Sequence, residues 1–342
     1  MISRPYSILS NDKGFIAKYS GDEPAAVPNS IFACFRAHED EIVPDFLNYL
    51  FVGNLHGKWL KKYIEVSARA HGSLSIDDED LLSLPIPLPS GESSIAEQNK
   101  IAACLTSLDE LITAHGQKLG ALKSYKKGLT QQLFPDRGET VPRLRFPEFR
   151  HKGAWEEGKA GSVFMNRLDR GEEGLPIYSV TIHDGMVRRD SLDRNYYDIE
   201  EASGNKKACK NDIAYNMMRM WQGALGVAPE DCLVSPAYIV LIPQKHVVSR
   251  FFEYLFKLPS SLLLLTSHSR GLTKDRLRLY YDDFAGISLC YPHDPEEQRR
   301  IADCLTTLDE QISAQSRRLE VLKQYKQGLL QQLFPSREEI EA

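Results

Sequence analysis

From Glu97 to Pro135, apolar residues recur in steps of four and three: Ile101, Leu105, Leu108, Ile112, Leu119, Leu122, Leu129 and Leu133, with polar His115 and Lys126 filling the two remaining places in the rhythm. That spacing is a heptad seam and predicts one long amphipathic helix. From Glu297 to Pro335 the same seam returns as Ile301, Leu305, Leu308, Ile312, Leu319, Leu322, Leu329 and Leu333, with Gln315 and Lys326 at the polar places. The two stretches are offset by 200 residues without a gap, and 24 of their 39 positions are identical, which marks a duplication. Each predicted helix has about 37 residues and is about 55 Å long at the α-helical rise.

A helix with a single apolar stripe needs a partner to cover it. The other copy is the obvious one, with Ile101, Leu105, Leu108 and Ile112 pairing along the same seam as Ile301, Leu305, Leu308 and Ile312. If the segment between the helices is compact, its ends lie close together, the helices run antiparallel, and the two repeats are related by a pseudo-twofold axis. Polar seam residues cost stability and fix register; His115 reads as such a residue, since its counterpart is Gln315.

Outside the helices the pattern changes period. Ala237-Tyr238-Ile239-Val240-Leu241 reads as a strand and Phe251 to Phe256 as a short buried helix. Similar features occur in the same order before the first helix. Lys13-Gly14-Phe15 parallels Gln222-Gly223-Ala224, Pro28-Asn29-Ser30-Ile31-Phe32 parallels Ser235 to Ile239, and Phe46 to Phe51 parallels Phe251 to Phe256. The expected fold class is α+β: two mixed α/β globules joined by two long antiparallel helices. The expected boundaries are a partial globule over 1–90, a helix over 91–137, a full globule over 138–290, a second helix over 291–337 and an acidic tail over 338–342. The first globule is the shorter: only 96 residues precede Glu97, whereas the second globule opens near Pro142 and reaches its helix at Glu297.

Composition narrows the function. Hydrophobic residues make up 42% of the 342 residues and charged ones 26%, as in ordinary globular chains. Apolar runs such as Leu262–Leu265 are far shorter than the roughly 20 residues of a membrane span, and the amino terminus does not read as a signal peptide. The six cysteines are scattered without a CxxC pair, which argues against a zinc site or disulfide scaffold and suits a reducing cytoplasm. A net charge of −5 means that any nucleic-acid contact rests on local patches. Ser235-Pro236-Ala237-Tyr238 is similar to the loop that holds the target amine in amino-methyltransferases, but it lacks the second proline and any upstream glycine-rich cofactor loop; a strand entry is the preferred reading. Asp136, Glu157 and Lys159 satisfy a loose magnesium-nuclease pattern, yet Asp136 is matched by Ser336 in the repeat. The chain therefore reads as non-catalytic by itself.

The residues resemble one family, the specificity subunits of type I restriction–modification systems. The likeness rests on the doubled Glu-Gln-x-x-Ile-Ala helix ending in Tyr-Lys-x-Gly-Leu-x-Gln-Gln-Leu-Phe-Pro at 97–135 and 297–335. It rests also on the opening Val141 to Phe149 followed by Trp155, and on Asn216 to Leu225 followed by Ser235 to Tyr238. The resemblance implies two target-recognition domains, each reading half of a split DNA site, with the paired helices as a ruler between them. Methyltransferase and restriction subunits dock as partners, and S-adenosylmethionine, ATP and magnesium belong to those partners, not to this chain. The opening at Val141–Trp155 has no counterpart before Met1, so the first domain is expected to be incomplete; a second copy of the chain is a further partner that would complement it.

Base-reading residue types cluster in the second globule: Arg188, Arg189, Lys206, Lys207, Asn216, Arg219 and Gln222, with Arg194, Asn195 and Lys210 beside them. Arginine pairs bidentately with guanine, asparagine or glutamine with adenine, and lysine and arginine neutralise phosphate. Most single members of such a cluster are solvated surface, since residues 136–250 carry 17 basic and 17 acidic side chains. Asn216, Arg219 and Gln222 rank first because they lie in the family motif, whereas Trp221 reads as packing. Residues 1–83 hold 8 basic and 12 acidic residues, which makes the first globule the weaker reader. Lys118, Lys123, Lys127, Arg317, Arg318 and Lys323 lie between seam residues, as solvating charge or as docking contacts. The rival reading is a protein–protein scaffold whose globules no longer read DNA, favoured by the short first globule and the net acidic charge.

Overall fold

The computed structural model describes residues 32–54, 82–192 and 202–334, together with residues 2–3, 6–7, 18–19, 23, 73–74 and 79. The stretches Lys13-Gly14-Phe15 and Pro28–Ile31, the candidates Arg194 and Asn195, and the tail 338–342 lie outside the described residues. The chain divides into two compact units, Met1–Ala121 with Ser313–Ala342, and Leu122–Ile312.

Unit 1 contains β1 (Ile2–Ser3), β2 (Tyr6–Ser7), β3 (Phe32–Ala33), α1 (Pro44–Val52), β4 (Ser73–Leu74) and the start of the long helix α2 (Ser94–Leu133). Strand β1 pairs antiparallel with β3, and β2 with β4. Unit 2 takes the end of α2 and continues through β5 (Glu156–Lys159), α3 (Ala160–Val163), β6 (Phe164–Asn166), β7 (Ile177–Val180) and β8 (Met186–Arg188). It goes on through β9 (Lys206–Ala208), β10 (Ile213–Asn216), β11 (Leu225–Val227), β12 (Cys232–Val234) and β13 (Tyr238–Pro243). Then follow α4 (Ser249–Phe256), α5 (Pro259–Ser267), α6 (Tyr281–Ala285), β14 (Ser288–Tyr291) and the start of α7 (Pro295–Leu333). The remainder of α7 belongs to unit 1.

The two expected long helices are present, with 40 and 39 residues. Helix α7 starts with a proline at its first position, and Asp294 Oδ1 accepts a hydrogen bond from the Glu296 N–H, a capping arrangement that satisfies one of the free donors of the first turn. The pairing is antiparallel within each unit. In unit 1, Lys326 reaches Asp109 at 2.5 Å, and the Gln315 amide lies 2.6 Å from His115 Nδ1 and donates to the His115 carbonyl at 3.0 Å. In unit 2, Lys126 reaches Asp309 at 2.5 Å. The four polar seam residues therefore set the register, as their placement in the heptads suggested. Leu105, Leu108, Ile301, Leu305 and Leu308 are buried, while Ile101, Ile112 and Ile312 are half-buried.

The duplication is also a duplication of contacts. Gln98 and Gln298 are fully buried. The Gln98 amide oxygen accepts from the Val43 N–H at 2.8 Å and its nitrogen donates to the Glu41 carbonyl at 3.1 Å. Gln298 accepts from the Val248 N–H at 2.9 Å and donates to the Pro292 carbonyl at 2.8 Å. Each glutamine thus ties a short helix, α1 or α4, to the first turns of a long one. Eleven residues further along each long helix, the Tyr49 hydroxyl donates to Asp109 at 2.9 Å and the Tyr254 hydroxyl to Asp309 at 2.8 Å. The lysine that pairs with each aspartate lies 5.2 Å above the same tyrosine ring. Burial raises the pKa of both phenols.

Unit 2 holds the larger core. Strands β11-β10-β13-β6 form an antiparallel sheet, and β8-β7-β12-β9 a mixed one in which β7 and β12 run parallel. Phe134, Trp155, Phe164, Phe251, Phe252, Phe256 and Phe284 pack as one aromatic cluster against Ile301 and Leu305. A smaller core in unit 1 joins Phe46, Leu50, Leu84, Leu105 and Phe334. Replacing Gln298 by alanine strips two buried backbone groups of their partner and is expected to lower stability by about 2 kcal/mol. Lys126→Ala, at a pair a quarter or more exposed on both sides, should cost under about 1 kcal/mol. Urea unfolding followed by tryptophan fluorescence checks the order, which fails if the lysine variant is the less stable.

Candidate nucleic-acid interface

The motif at Asn216–Gly223 begins where β10 ends. Asn216 is half-buried, and its Oδ1 accepts the Met218 N–H at 3.0 Å, while its carbonyl accepts the Arg219 N–H at 3.0 Å. The Trp221 indole N–H donates to the Met218 carbonyl at 3.1 Å, and Met220 is fully buried beneath the turn. Gly223 closes it with φ +82°, a conformation that side-chain-bearing residues rarely adopt. The backbone of the turn is held partly from within and partly by its neighbours, since the Met217 N–H donates to the Ala237 carbonyl at 3.4 Å. Arg219 and Gln222 are exposed, and Met218 is partly so. Trp221 is half-buried, in keeping with packing.

The other candidates stand elsewhere. Arg188 ends β8, 3.5 Å from Asp190, and half-buried Arg189 opens the 3-10 turn that follows. Lys206 and Lys207 lie on β9, at the opposite edge of the same sheet from β8. The Lys206 ammonium donates to the Tyr238 carbonyl at 2.7 Å, and burial lowers its pKa. Lys207 pairs with Glu172 at 2.7 Å, which raises its pKa. The candidates thus fall into three places, and the two lysines are already engaged within the protein. Tyr238 is buried, and its backbone N–H donates to the Ser235 carbonyl at 2.9 Å, so Ser235–Tyr238 serves as the entry to β13. Asp136 pairs with Arg143, and the Lys159 ammonium donates to Gly286 O and Ser288 Oγ at 3.0 Å.

A basic hairpin missed in the sequence adjoins the motif. Arg270 and Arg278 exchange both backbone hydrogen bonds, at 2.9 and 2.8 Å, closing a loop over 271–277. The Leu279 N–H donates to the Met217 carbonyl at 2.9 Å, and the Arg278 guanidinium lies 3.7 Å from Met218 Sδ, so hairpin and turn are neighbours. Residues 268–280 carry Arg270, Lys274, Arg276 and Arg278 against one acid, Asp275. An open concavity of about 730 Å³ has Arg270, Leu272, Thr273, Arg276, Arg278 and Tyr280 in its lining, with Asp282 as the acidic member. Arg270 is held by Asp283 at 2.7 Å and lies 5.8 Å from the centre of the Tyr280 ring. Among the described residues, Lys274, Arg276 and Arg278 have no carboxylate within 4.0 Å. A window of charge over 268–280 carries the signal. The neutral balance of 136–250 hides it, because that window ends before the hairpin starts.

Among the described residues no cluster of histidine, cysteine and carboxylate side chains is arranged to hold a metal, and no helix is long and apolar enough to cross a membrane. All six cysteines are free thiols. Burial pushes Cys232 up to about 12 and Cys290 up to about 11, which keeps both protonated at neutral pH.

Comparison with known proteins follows this geometry. Residues 155–324 match the family model of the type I restriction modification DNA specificity domain. The chain is similar to a protein of Methanocaldococcus jannaschii described as a type I restriction enzyme MjaX specificity subunit, 23% identical over 94% of this chain and 74% of that one. It is also similar to the type I restriction enzyme HindI specificity subunit of Haemophilus influenzae, 24% identical over 53% of this chain and 40% of that one. The crystal structure of the type I restriction–modification S subunit from M. genitalium shares the fold, with a TM-score of 0.55 and 18% identity over 86% of this chain and 74% of that one.

Gln222→Ala is expected to weaken duplex binding by about 1–3 kcal/mol for one half of a split site only. Competition with duplexes altered in either half checks this, and equal loss at both halves refutes it. Arg276→Ala should weaken binding to all sequences alike and reduce the salt slope by about 1; a loss confined to one sequence would contradict a phosphate role.

Proposed function

We propose, on the premise that the chain belongs to the type I restriction–modification DNA specificity subunits, that unit 2 reads DNA through the Met217–Gly223 turn and the 268–280 hairpin beside it. The observation that carries this reading is one of placement. Arg219 and Gln222 project from a turn whose own backbone groups are satisfied, so their donors and acceptors are left for a base edge. Lys274, Arg276 and Arg278 supply the local positive charge that a chain of net charge −5 needs to hold phosphates. The turn gives sequence choice and the hairpin gives register and affinity, the usual division between base and backbone contacts.

In this reading the chain is a non-catalytic subunit that brings a methyltransferase and a restriction subunit to a bipartite site. S-adenosylmethionine, ATP and magnesium act on those partners. The long helices carry the docking surface, since exposed Tyr125 and Tyr325 recur on them at the 200-residue offset. Methylome sequencing of a host with and without the gene tests the proposal. A split motif whose adenines lose methylation on deletion is the expected result, and a methylome unchanged by deletion overturns it.

A further inference from the structure

The hairpin at 268–280 carries an apolar side chain at its tip. Leu272 is fully exposed, at 101%, against 75% for Leu168, the next most exposed large hydrophobic residue among those described. A single leucine in water is ordinary on a protein surface. This one differs in how it is held and in what surrounds it. Gly271 precedes it with φ +146°, and a Cβ there would stand 2.5 Å from the Arg276 carbonyl oxygen. The two arms of the loop therefore cross closely at a position that suits only glycine. On the other side, Thr273 leads into the 3-10 turn Lys274–Arg276, and the Arg276 N–H donates to the Thr273 carbonyl at 2.9 Å.

Both arms are anchored at the base. The incoming arm follows α5, where the Ser269 hydroxyl donates to the Leu265 carbonyl at 2.8 Å and the Arg270 guanidinium holds Asp283. The outgoing arm alternates: Leu277 and Leu279 are buried, while Arg276, Arg278 and Tyr280 are exposed. That is the period of an extended segment with one face on a core. The Leu279 carbonyl accepts the hydroxyl of fully buried Tyr215 at 3.3 Å. The hairpin thus commits two of its leucines to the core and leaves the third in water on a fixed tip, so that ordering the tip adds little to the cost of binding. Leu272, Arg270, Arg276 and Arg278 share the lining of one concavity, and Lys274 lies two residues from Leu272.

We propose that Leu272 is a wedge that enters a stacked base step of duplex DNA and opens it, while the cations around it hold the neighbouring phosphates. The inference rests on the reading of unit 2 as a DNA reader and adds to it a residue and a mode of selection. Leucine is among the apolar side chains that insert between base steps, where the unstacking is offset by wider contact with the bent duplex. It has no hydrogen-bonding group and so cannot read a base edge in the way Gln222 can. Its selectivity comes through deformability, because the pyrimidine–purine steps TA and CA/TG unstack most easily. Hairpin and turn are tied by the Leu279–Met217 bond, so the opened step lies at a fixed distance from the bases that Gln222 faces. An apolar patch on a partner protein would also cover Leu272, but a hairpin with four cations against one acid suits a polyanion.

The full-length protein is used to select duplexes from a random-sequence pool, and the selected duplexes are probed with permanganate, which oxidises unstacked thymines. The wild type is expected to select a TA or CA/TG step at a constant distance from the bases whose choice is lost in Gln222→Ala. A thymine of that step should become reactive at saturating protein. Leu272→Ala removes no buried contact, so it should unfold at the same urea concentration as the wild type and still bind the selected duplexes, but without the reactive thymine; Leu272→Met should restore it. Changing the step to GG should weaken wild-type binding about tenfold and leave Leu272→Ala unaffected. Arg276→Ala should weaken binding yet keep the reactivity at saturation. Binding with no reactive thymine, or reactivity that survives in Leu272→Ala, overturns the wedge and leaves the DNA reading standing. Failure to select any duplex overturns both. If Leu272→Ala matches the wild type on DNA but no longer captures the methyltransferase subunit, the wedge is overturned and Leu272 belongs to a protein contact.

Discussion

A single apolar stripe along a helix of about 40 residues has to be covered over its whole length, and the fold is a solution to that requirement. In each unit one end of the stripe is shared between a globule and the other long helix. The buried glutamine of the Glu-Gln pair does the joining, because both ends of its amide are spent on backbone groups that lack partners within the fold's regular structure. A buried polar group is tolerated only when fully paired. Gln98 and Gln298 meet that condition, and in meeting it they fix where α1 and α4 sit on α2 and α7. The tyrosine–aspartate–lysine contacts about three turns further along each long helix repeat the arrangement with charge.

The surface assigned to DNA depends on the same economy of hydrogen bonds. Asn216, ranked among the first candidates for its place in the motif, directs its side-chain oxygen at its own turn, and Lys206 spends its ammonium on a backbone carbonyl. What remains outward is Arg219, Gln222 and the arginines of the neighbouring hairpin. A chain of net negative charge thereby carries a compact positive face without any change in its total.

The helices, their antiparallel pairing and the short helix at Phe251–Phe256 were legible because each follows from periodicity: 3.5 residues for the seam and a tight aromatic run for α4. The role of His115 as a register residue was legible from its counterpart Gln315, and the two side chains meet. The division of unit 2 into two sheets was not, because strands of three or four residues such as β9 and β12 pair across long sequence gaps that no local pattern encodes. The motif at Asn216–Gln222 was found by likeness, and the fact that only part of it faces outward required the turn geometry. The hairpin at 268–280 was missed even though its charge is plain in the letters. Its link to the motif is a backbone bond between Leu279 and Met217, and sequence spacing says nothing about that.

Seventeen residues separate Asp109 from Lys126, and seventeen separate Asp309 from Lys326. The two lysine–aspartate contacts tie these intervals together, since each contact takes one residue from each helix. An insertion or deletion in one helix alone would put the intervals out of step, breaking one contact or forcing a bulge.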